Sequence, residues 1–275
     1  MSPVPDTALC ELTTAYERDG WCTLPYRLGG SAVELLRDRV GAIAREVRPE
    51  VVWEKGGRVV RAVHGCHRFD EVCAALTRHP LLVELAEAFV GGPVYVYQFK
   101  VNLKQAHEGA AWPWHQDFSF WHREDGMPRP VAVNIAISLD AVHEGNGPLT
   151  VIPGSHRLGL QDPHTDGNDP GRSDWQRHVS ADLAYTVTPQ RAGELAGELG
   201  TRLITGPAGS LHAFHPSIVH SSSNNGSADR RALLLITYNS VRNVPPAPTR
   251  PEFLVDRNAA PIVPDDDRRL ELNPL

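Results

Sequence analysis

The stretch from Trp112 to Arg129 reads WPWHQDFSFWHREDGMPR and contains the motif His115-x-Asp117. Residues i and i+2 of an extended strand point to the same face, so both side chains could converge on one metal ion. Two imidazole nitrogens and one carboxylate on a single face suit Fe(II) and leave three coordination positions open. The third ligand must come from elsewhere, and the best candidate is His220, which follows the strand-like run Ser210–Phe214.

The motif alone is a weak indication, because 13 histidines and 33 acidic residues make such a pair common by chance. The sequence after His220 strengthens it. Ser222 follows two residues later, and Arg231 leads into the apolar run ALLLITY. A buried arginine is costly unless it meets an anion, and its planar fork fits a carboxylate. Ser222 could bond the same anion, so these residues favour iron together with a dicarboxylic cosubstrate.

The order of the motifs resembles the phytanoyl-CoA dioxygenase family of Fe(II)/2-oxoglutarate oxygenases. It runs from H-x-D through NGPLTVIPGSH at Asn146–His156 to H-x-S with an arginine eleven residues after the histidine. Within the family, the chain is most similar to ectoine hydroxylases and bacterial free-amino-acid hydroxylases. That similarity rests on the stretch quoted first and on four residues of the preceding strand: Tyr97, Gln98, Asn102 and Lys104. It extends over roughly Val94 to Asn239.

The resemblance implies a mainly β protein with flanking helices, built as a double-stranded β-helix (a cupin-like jelly roll). It implies a 2-oxoglutarate-dependent dioxygenase that uses Fe(II), 2-oxoglutarate and O2, with ascorbate as a reductant in vitro. The expected iron ligands are His115, Asp117 and His220. The expected contacts to 2-oxoglutarate come from Arg231, Ser222, Asn102 and Lys104.

The predicted strand Val94–Leu103 carries a polar row that includes Gln98 and Asn102, and Lys104 has the same parity. Such a row could simply face solvent. Because the strand immediately precedes the proposed ligands, we expect these side chains to line the pocket. The candidates for the substrate wall are Gln98, Trp114, Phe118 and Trp121. For the aromatic residues, and above all for Phe118, packing in the core is the alternative.

The expected substrate is a small zwitterion, either a free amino acid or an ectoine-like compound. The chain departs from ectoine hydroxylases at Trp112-Pro113-Trp114 and at the apolar pair Ala232-Leu233. These departures favour a substrate more aliphatic than ectoine, such as a branched or cyclic amino acid, with ectoine poor or inert. A fatty acyl-CoA would need a basic patch for its phosphates, and we find none. A larger or carrier-tethered natural-product intermediate remains the alternative substrate.

Two other classes of protein compete with a hydroxylase, and a halogenase is a closer rival within the family. A non-catalytic cupin-like binding module would have no need of an intact triad. A zinc hydrolase would not explain Arg231 and Ser222. A halogenase needs the position that Asp117 occupies, because chloride must take the place of the carboxylate.

Composition narrows the class of protein further. The chain has 275 residues, 41% of them hydrophobic, and a net charge of −6. The negative charge argues against nucleic acid as a partner. The four cysteines lack C-x-x-C spacing, and no signal peptide or membrane span is indicated, so a cytoplasmic protein is predicted. Whether it is a monomer or a homodimer stays open.

One domain is expected over residues 1–275, with a helical part at 1–92, a jelly-roll core at 93–243 and a loosely packed tail at 244–275. The segment 157–200 is polar and rich in Gly, Pro and Asp, which is typical of a functional lid. The expected helices run from Asp6 or Thr7 to Arg18, from Ser31 to Val47 and from Pro80 to Val90. The strongest apolar strand is Val131–Leu139, with Asn134 and Ser138 as inward polar groups.

Other histidines are weaker ligand candidates. His156 belongs to a P-G-S-H turn, and His212 and His215 lack the H-x-S and arginine context. His64 and His67 are suitably spaced for a metal, but no carboxylate lies in a clear register with them.

Overall fold

Two antiparallel β-sheets form the centre of the computed structural model, in which residues 4–163 and 175–275 are described. The large sheet contains β1 (Trp21–Leu28), β2 (Val51–Trp53), β3 (Val60–His64), β4 (Val94–Lys104), β6 (Ala132–Ser138), β9 (Ser210–Phe214), β11 (Arg231–Ser240) and β12 (Leu272–Pro274). The small sheet contains β5 (Trp112–His115), β7 (Leu149–Val151), β8 (Arg202–Ile204) and β10 (His220–Ser222). The strand orders are β12-β1-β9-β6-β11-β4-β3-β2 and β5-β10-β7-β8. This arrangement confirms the predicted jelly roll with flanking helices.

The helices are α1 (Asp6–Asp19), α2 (Gly30–Ile43), α3 (Glu71–Thr77), α4 (Pro80–Val90), α5 (Asp117–Asp125) and α6 (Pro189–Leu199). The predicted helix at Ser31–Val47 is shorter, because it starts after Gly29 and ends at Ile43. The sequence analysis missed α3, whose N-cap Asp70 accepts hydrogen bonds from two backbone amides of the first turn. Within the described residues, no helix has the length and apolar character that crossing a bilayer requires.

Strand β11 shows how the large sheet separates two cores. Ala232, Leu234 and Ile236 pack in the cluster shared with α1–α4. Leu233 and Leu235 point the other way, into a cluster between the two sheets. Alternation of side chains along one strand thus contributes to both cores. Arg231 also lies on the face between the two sheets. The sequence departs from ectoine hydroxylases at the apolar pair Ala232-Leu233, and of these two residues only Leu233 faces the site.

A β-bulge interrupts the alternation of side chains along β4. The register with β11 shifts between Thr237 and Tyr238, so Gln98 pairs with Thr237 while Val96 pairs with Tyr238. A one-residue slip moves side chains to the opposite face. As a result, Tyr97 packs with Trp121 on the site side, next to Gln98, instead of sharing a face with Phe99.

The C-terminal segment is packed, which corrects the expectation of a loose tail. Leu254 and Val255 are fully buried, and β12 pairs with β1 at the edge of the large sheet. Gln98 donates a hydrogen bond to the carbonyl of Leu254 at 2.8 Å. A hydrogen bond between Nε2 of His67 and a carboxylate oxygen of Asp256, 2.8 Å apart, holds the same segment. Residues after position 243 therefore pack against the rest of the domain and help to form the site.

The predicted lid, 157–200, is described only in part, because residues 164–174 lie outside the described ranges. Its later portion contains a short helix at Trp175–His178 and the helix α6. Val179 and Leu183 pack in the same apolar cluster as Phe120 and Trp121. His178, Val179 and Leu183 of this segment also line the pocket described below.

Gly209 provides a test of the packing between β1 and β9. It has φ +84°, and a Cβ there would lie 2.4 Å from the carbonyl oxygen of Leu28. Gly209→Ala is expected to lower the free energy of unfolding by about 2–4 kcal/mol, since it adds a backbone clash to left-handed strain. Gly193→Ala, at an exposed helix position with open space, should instead raise it by up to about 1 kcal/mol. Denaturant unfolding of both variants measures the difference, and equal effects would contradict this packing.

Candidate active site

Three buried side chains converge between the two sheets: His115, Asp117 and His220. One ligand atom from each lies within 4.8 Å of the other two. The Nε2 atoms of His115 and His220 are each 4.0 Å from a carboxylate oxygen of Asp117. Among the described residues this is the one group of three metal-ligating side chains. Its two imidazoles and one carboxylate could hold Fe(II) and leave open positions for other ligands.

The local structure that brings the three together differs from the expected single strand. His115 ends β5, and Asp117 is the first residue of α5, so the chain turns between them. The antiparallel pairing of β5 with β10 places His220 directly opposite His115. Convergence therefore comes from a strand end, a helix start and one cross-strand pair. The predicted common face is correct, although its explanation by strand alternation alone is wrong.

Backbone carbonyls orient the two imidazoles. Nδ1 of His115 bonds the carbonyl of Pro113 at 2.6 Å, and Nδ1 of His220 bonds the carbonyl of Ile218 at 3.0 Å. A carbonyl only accepts, so each Nδ1 carries the proton and each Nε2 keeps its lone pair. Burial lowers the pKa of both rings, that of His115 to about 3. Both histidines are therefore neutral and ready to bind a metal.

Asp117 is held by two neighbours that the sequence analysis did not connect to it. Nζ of Lys100 donates to one carboxylate oxygen at 3.2 Å, and Nδ2 of Asn134 donates to the other at 2.9 Å. The hydroxyl of Thr237 fixes the Asn134 amide by donating to its oxygen at 2.6 Å. Burial raises the pKa of Asp117, but the charge and the hydrogen bond of Lys100 act in the opposite direction, and the pKa lies below its usual value. The carboxylate stays ionised.

The triad opens into a pocket of about 690 Å³, mouth included. Arg231 lines it on one side and is only 2% exposed. Among the described residues its guanidinium bonds one acceptor, the carbonyl of Gly147. Burial lowers the pKa of Arg231 to about 10, so it remains charged at neutral pH. A buried cation with a single carbonyl partner is suited to an anionic ligand.

Three other predicted residues lie beside Arg231. Lys104 stands opposite it in the β4–β11 register and donates to the carbonyls of Ala110 and Ser223. Asn102 and Ser222 line the pocket. The side-chain oxygens of these two are buried and have no hydrogen-bond partner among the residues the structure describes. Such groups are costly unless a ligand satisfies them.

The other end of the pocket holds a second buried cation, Arg250. Its Nε lies 3.0 Å from a carboxylate oxygen of Asp125, which also accepts a hydrogen bond from the hydroxyl of Tyr97. Burial opposes the charge, but Asp125 raises the pKa of Arg250 above its usual value. Both Arg250 and Gln98 line the pocket. Arg250 contacts Asp125 and Tyr97 through Nε and Nη2, and its Nη1 makes no hydrogen bond to the described residues.

The aromatic residues proposed for the substrate wall divide into two groups. Trp121 lines the pocket together with Trp112 and Phe120. Trp114 instead packs against a cluster around Ile152 and Leu195. Phe118 is buried in an apolar cluster and stacks on His122. The structure places neither Trp114 nor Phe118 in the pocket wall, because β5 and α5 turn them towards the neighbouring cores.

The rival candidates for the third ligand, His156, His212 and His215, bond or pack elsewhere. Nε2 of His156 is 3.1 Å from the carbonyl of Glu17, and its ring packs beside His215. Nδ1 of His212 is 3.1 Å from the hydroxyl of Thr23. The geometry thus favours His220 as the third ligand.

Fold and site together define an Fe(II)/2-oxoglutarate-dependent oxygenase. The family model of phytanoyl-CoA dioxygenase (PhyH) matches residues 16–233. The chain belongs to this family.

Similar proteins with assigned functions include the L-proline trans-4-hydroxylase of Streptomyces griseoviridis. It is 61% identical over 265 residues, which cover 95% of this chain and 98% of that protein. The ectoine dioxygenase of Bordetella parapertussis is 32% identical over 263 residues, covering 92% and 84%.

Solved structures agree with these relatives. EctD from S. alaskensis with bound Fe superimposes with a TM-score of 0.79 at 28% identity, over 96% of this chain and 90% of that one. The same protein with 2-oxoglutarate and 5-hydroxyectoine gives a TM-score of 0.77 at 29% identity, over 93% and 87%. The chain is therefore a hydroxylase that uses Fe(II) and 2-oxoglutarate, as predicted, and not a non-catalytic binding module.

Sequence reasoning missed several residues of the pocket. Lys100 could have been identified from the sequence, because it has the same parity on β4 as Gln98 and Asn102. Arg250 was difficult to identify as a pocket residue from the sequence, because it lies in a proline-rich segment far from the motifs. Asn134 was predicted to point inward, and its bond to Asp117 confirms this.

Asp117→Ala is expected to abolish Fe(II) binding, because it removes the ligand oxygens and leaves two neutral imidazoles. Metal analysis after anaerobic loading measures the loss. His212→Gln, at a buried histidine outside the triad, is the control and should keep full iron content. Iron retained by the Asp117 variant, or lost by the control, would contradict the assignment.

Proposed function

We propose that this enzyme hydroxylates free L-proline at C4 to give trans-4-hydroxy-L-proline, coupled to oxidative decarboxylation of 2-oxoglutarate. The main support is the 61% identity, over nearly the full length of both chains, to the L-proline trans-4-hydroxylase of Streptomyces griseoviridis. Proline is a small, cyclic, aliphatic zwitterion, which is the substrate class that the sequence favours. A cytoplasmic location is part of the proposal, and the four free cysteines agree with a reducing compartment.

The charges in the pocket support two anionic ligands at once. Arg231 and Arg250 are both buried and line the same pocket around the triad. An amino acid and a 2-oxo dicarboxylate each carry a carboxylate that a buried arginine can bind bidentately or through one edge. Two separate cations allow both ligands to be bound and oriented at the same time.

The end of the pocket that binds 2-oxoglutarate, called the cosubstrate end, is formed by Arg231, Ser222, Asn102 and Lys104. Arg231 binds the distal carboxylate of 2-oxoglutarate, because its guanidinium has an unused edge and makes no direct hydrogen bond to a carboxylate of the described residues. The hydroxyl of Ser222 and the amide of Asn102 supply further polar contacts. Lys104 lies opposite Arg231 in the strand register and becomes positively charged when the carboxylate binds.

His115, Asp117 and His220 are the residues that hold the iron in this proposal. When bound, the iron with 2-oxoglutarate and O2 supplies the oxidant for an unactivated C–H bond. Lys100 and Asn134 keep the Asp117 carboxylate ionised and oriented. The aromatic wall of Trp112, Phe120 and Trp121 excludes water and packs on the apolar ring of the substrate.

The substrate end is formed by Arg250, which binds the α-carboxylate of proline through Nη1. Asp125 and Tyr97 fix the guanidinium from behind, so its position is set before the substrate arrives. Anchoring the carboxylate at this end turns the far side of the ring towards the triad. That orientation places the carbons remote from the carboxylate, including C4, next to the iron.

Turnover of L-proline tests this proposal directly. The purified enzyme with Fe(II), 2-oxoglutarate and ascorbate is expected to form trans-4-hydroxy-L-proline and an equal amount of succinate. Chiral chromatography against the four 3- and 4-hydroxyproline isomers identifies the product. Absence of product, or oxygen at C3, would overturn the regiochemical claim.

Ectoine and tethered proline serve as competing substrates in the same assay. Ectoine is expected to be poor or inert, because Leu233 adds an apolar surface to the pocket. A prolyl thioester on a carrier lacks the free carboxylate that Arg250 binds. Preference for the thioester over free proline would support the alternative of a tailoring oxygenase.

The cosubstrate end is tested through Arg231. Arg231→Ala should raise the KM for 2-oxoglutarate by about 100- to 1000-fold, because a buried carboxylate loses its charged partner. Arg231→Lys should lie between wild type and Ala, since an ammonium cannot form the planar fork. An unchanged KM in the Ala variant would show that another cation binds the carboxylate.

Proton uptake tests the role of Lys104. Burial, followed by the charges of Arg231 and Arg61, lowers the pKa of Lys104 to about 6. At about pH 8 the free enzyme therefore carries mostly neutral Lys104, and a bound carboxylate raises this pKa again. Binding of 2-oxoglutarate should take up close to one proton, as measured by calorimetry in buffers of different ionisation enthalpy. Lys104→Met should abolish the uptake, and equal uptake in both proteins would contradict the role.

A further inference from the structure

His64 is a buried pocket residue that the iron and 2-oxoglutarate sites do not use. It ends β3, directly opposite Lys100 on β4, and its side chain lines the pocket. The next residue, Gly65, has φ +63°, and a Cβ there would lie 2.8 Å from Phe253. The chain therefore turns sharply after His64, and the packed C-terminal segment fixes that turn.

Both ring nitrogens of His64 are buried, and among the described residues neither has a hydrogen-bond partner. The residue is only 1% exposed. Most buried polar atoms in proteins are paired, because an unpaired one loses its bonds to water without replacement. Two orphaned nitrogens on a side chain that faces a ligand pocket indicate that a ligand completes their bonding.

The surroundings of His64 indicate which ligand group this is. Burial, together with the positive charges of Lys100 and Arg250, lowers the pKa of His64 to about 3, so the ring is neutral and carries one N–H. Two cations nearby disfavour an ammonium group and favour an anion. His64 is not part of the metal-ligating group, which consists of His115, Asp117 and His220 in the described part of the chain.

We propose that His64 is a substrate-binding residue whose N–H donates a hydrogen bond to the α-carboxylate of the amino acid, beside Arg250. This inference rests on the proposed function, because it assumes a free amino acid in the pocket. Arg250 supplies the charge, and His64 supplies a second donor at a different angle. The two together fix the carboxylate plane and therefore the face of the ring that meets the iron.

The test compares His64→Leu and His64→Gln with wild type. Leucine removes both nitrogens and keeps an apolar volume, whereas glutamine keeps an N–H donor. His64→Leu is expected to raise the KM for L-proline by about 10- to 100-fold, the cost of one hydrogen bond to a charged group. It should leave iron content and the KM for 2-oxoglutarate unchanged. His64→Gln should recover most of the affinity, and His212→Leu, at a buried histidine outside the pocket, should behave as wild type.

Thermal unfolding gives a second readout that a merely structural role would not produce. Without substrate, His64→Leu should be as stable as wild type or more so, because it removes two unpaired buried nitrogens. Saturating proline should raise the Tm of the anaerobic holoenzyme less in His64→Leu than in wild type. A Tm that falls in the variant while the shift with proline stays the same would assign His64 to packing alone.

Failure of this inference is distinguishable from failure of the proposed function. If wild type does not hydroxylate or bind proline, the proposed function is wrong and His64 has no such carboxylate to bind. If wild type is active and His64→Leu keeps its KM for proline within about twofold, only the role of His64 is overturned. A rise in the KM for 2-oxoglutarate alone would overturn it as well, since His64 would then serve the cosubstrate.

Discussion

The site depends on one buried carboxylate between two neutral imidazoles. Burial would protonate Asp117, but Lys100 and Asn134 donate to its two oxygens and keep it ionised. Their contacts tie β4, β6 and α5 together at the point where the small sheet supplies the histidines. The same interactions that permit a buried charge therefore also set the position of the metal-binding group relative to both sheets.

Charge is distributed along the pocket in a way that separates two ligands. Arg231 has a single carbonyl acceptor in the described part of the chain, so it is suited to bind an anion. Arg250 is already paired with Asp125. An unpaired buried cation strongly favours a dianionic cosubstrate, while a paired one gives a weaker and more selective contact to a monoanion. Under the proposed function, this difference in pairing directs 2-oxoglutarate to Arg231 and the amino acid to Arg250.

Much of this arrangement could be predicted from the sequence, since local motifs carried it. The H-x-S motif, the arginine after it and the strand predicted at Val131–Leu139 lie in segments whose pattern matches their structure, whereas H-x-D runs from the end of β5 into the start of α5. Features that depend on distant packing could not be predicted. The bulge that brings Tyr97 to the site side arises from pairing with β11, and Arg250 reaches the pocket only because the tail docks on β4. Trp114 points away from the pocket because it alternates with His115 along β5, and Phe118 does so because a helix begins at Asp117.

The most direct measurement is a crystal structure of the anaerobic holoenzyme with Fe(II), 2-oxoglutarate and L-proline. The account predicts iron bound by His115, Asp117 and His220, with the distal carboxylate of 2-oxoglutarate on Arg231. It predicts the proline carboxylate on Arg250 and C4 of the ring as the carbon nearest the iron. Iron bound by other residues, or a proline ring turned so that its carboxylate faces the metal, would contradict it.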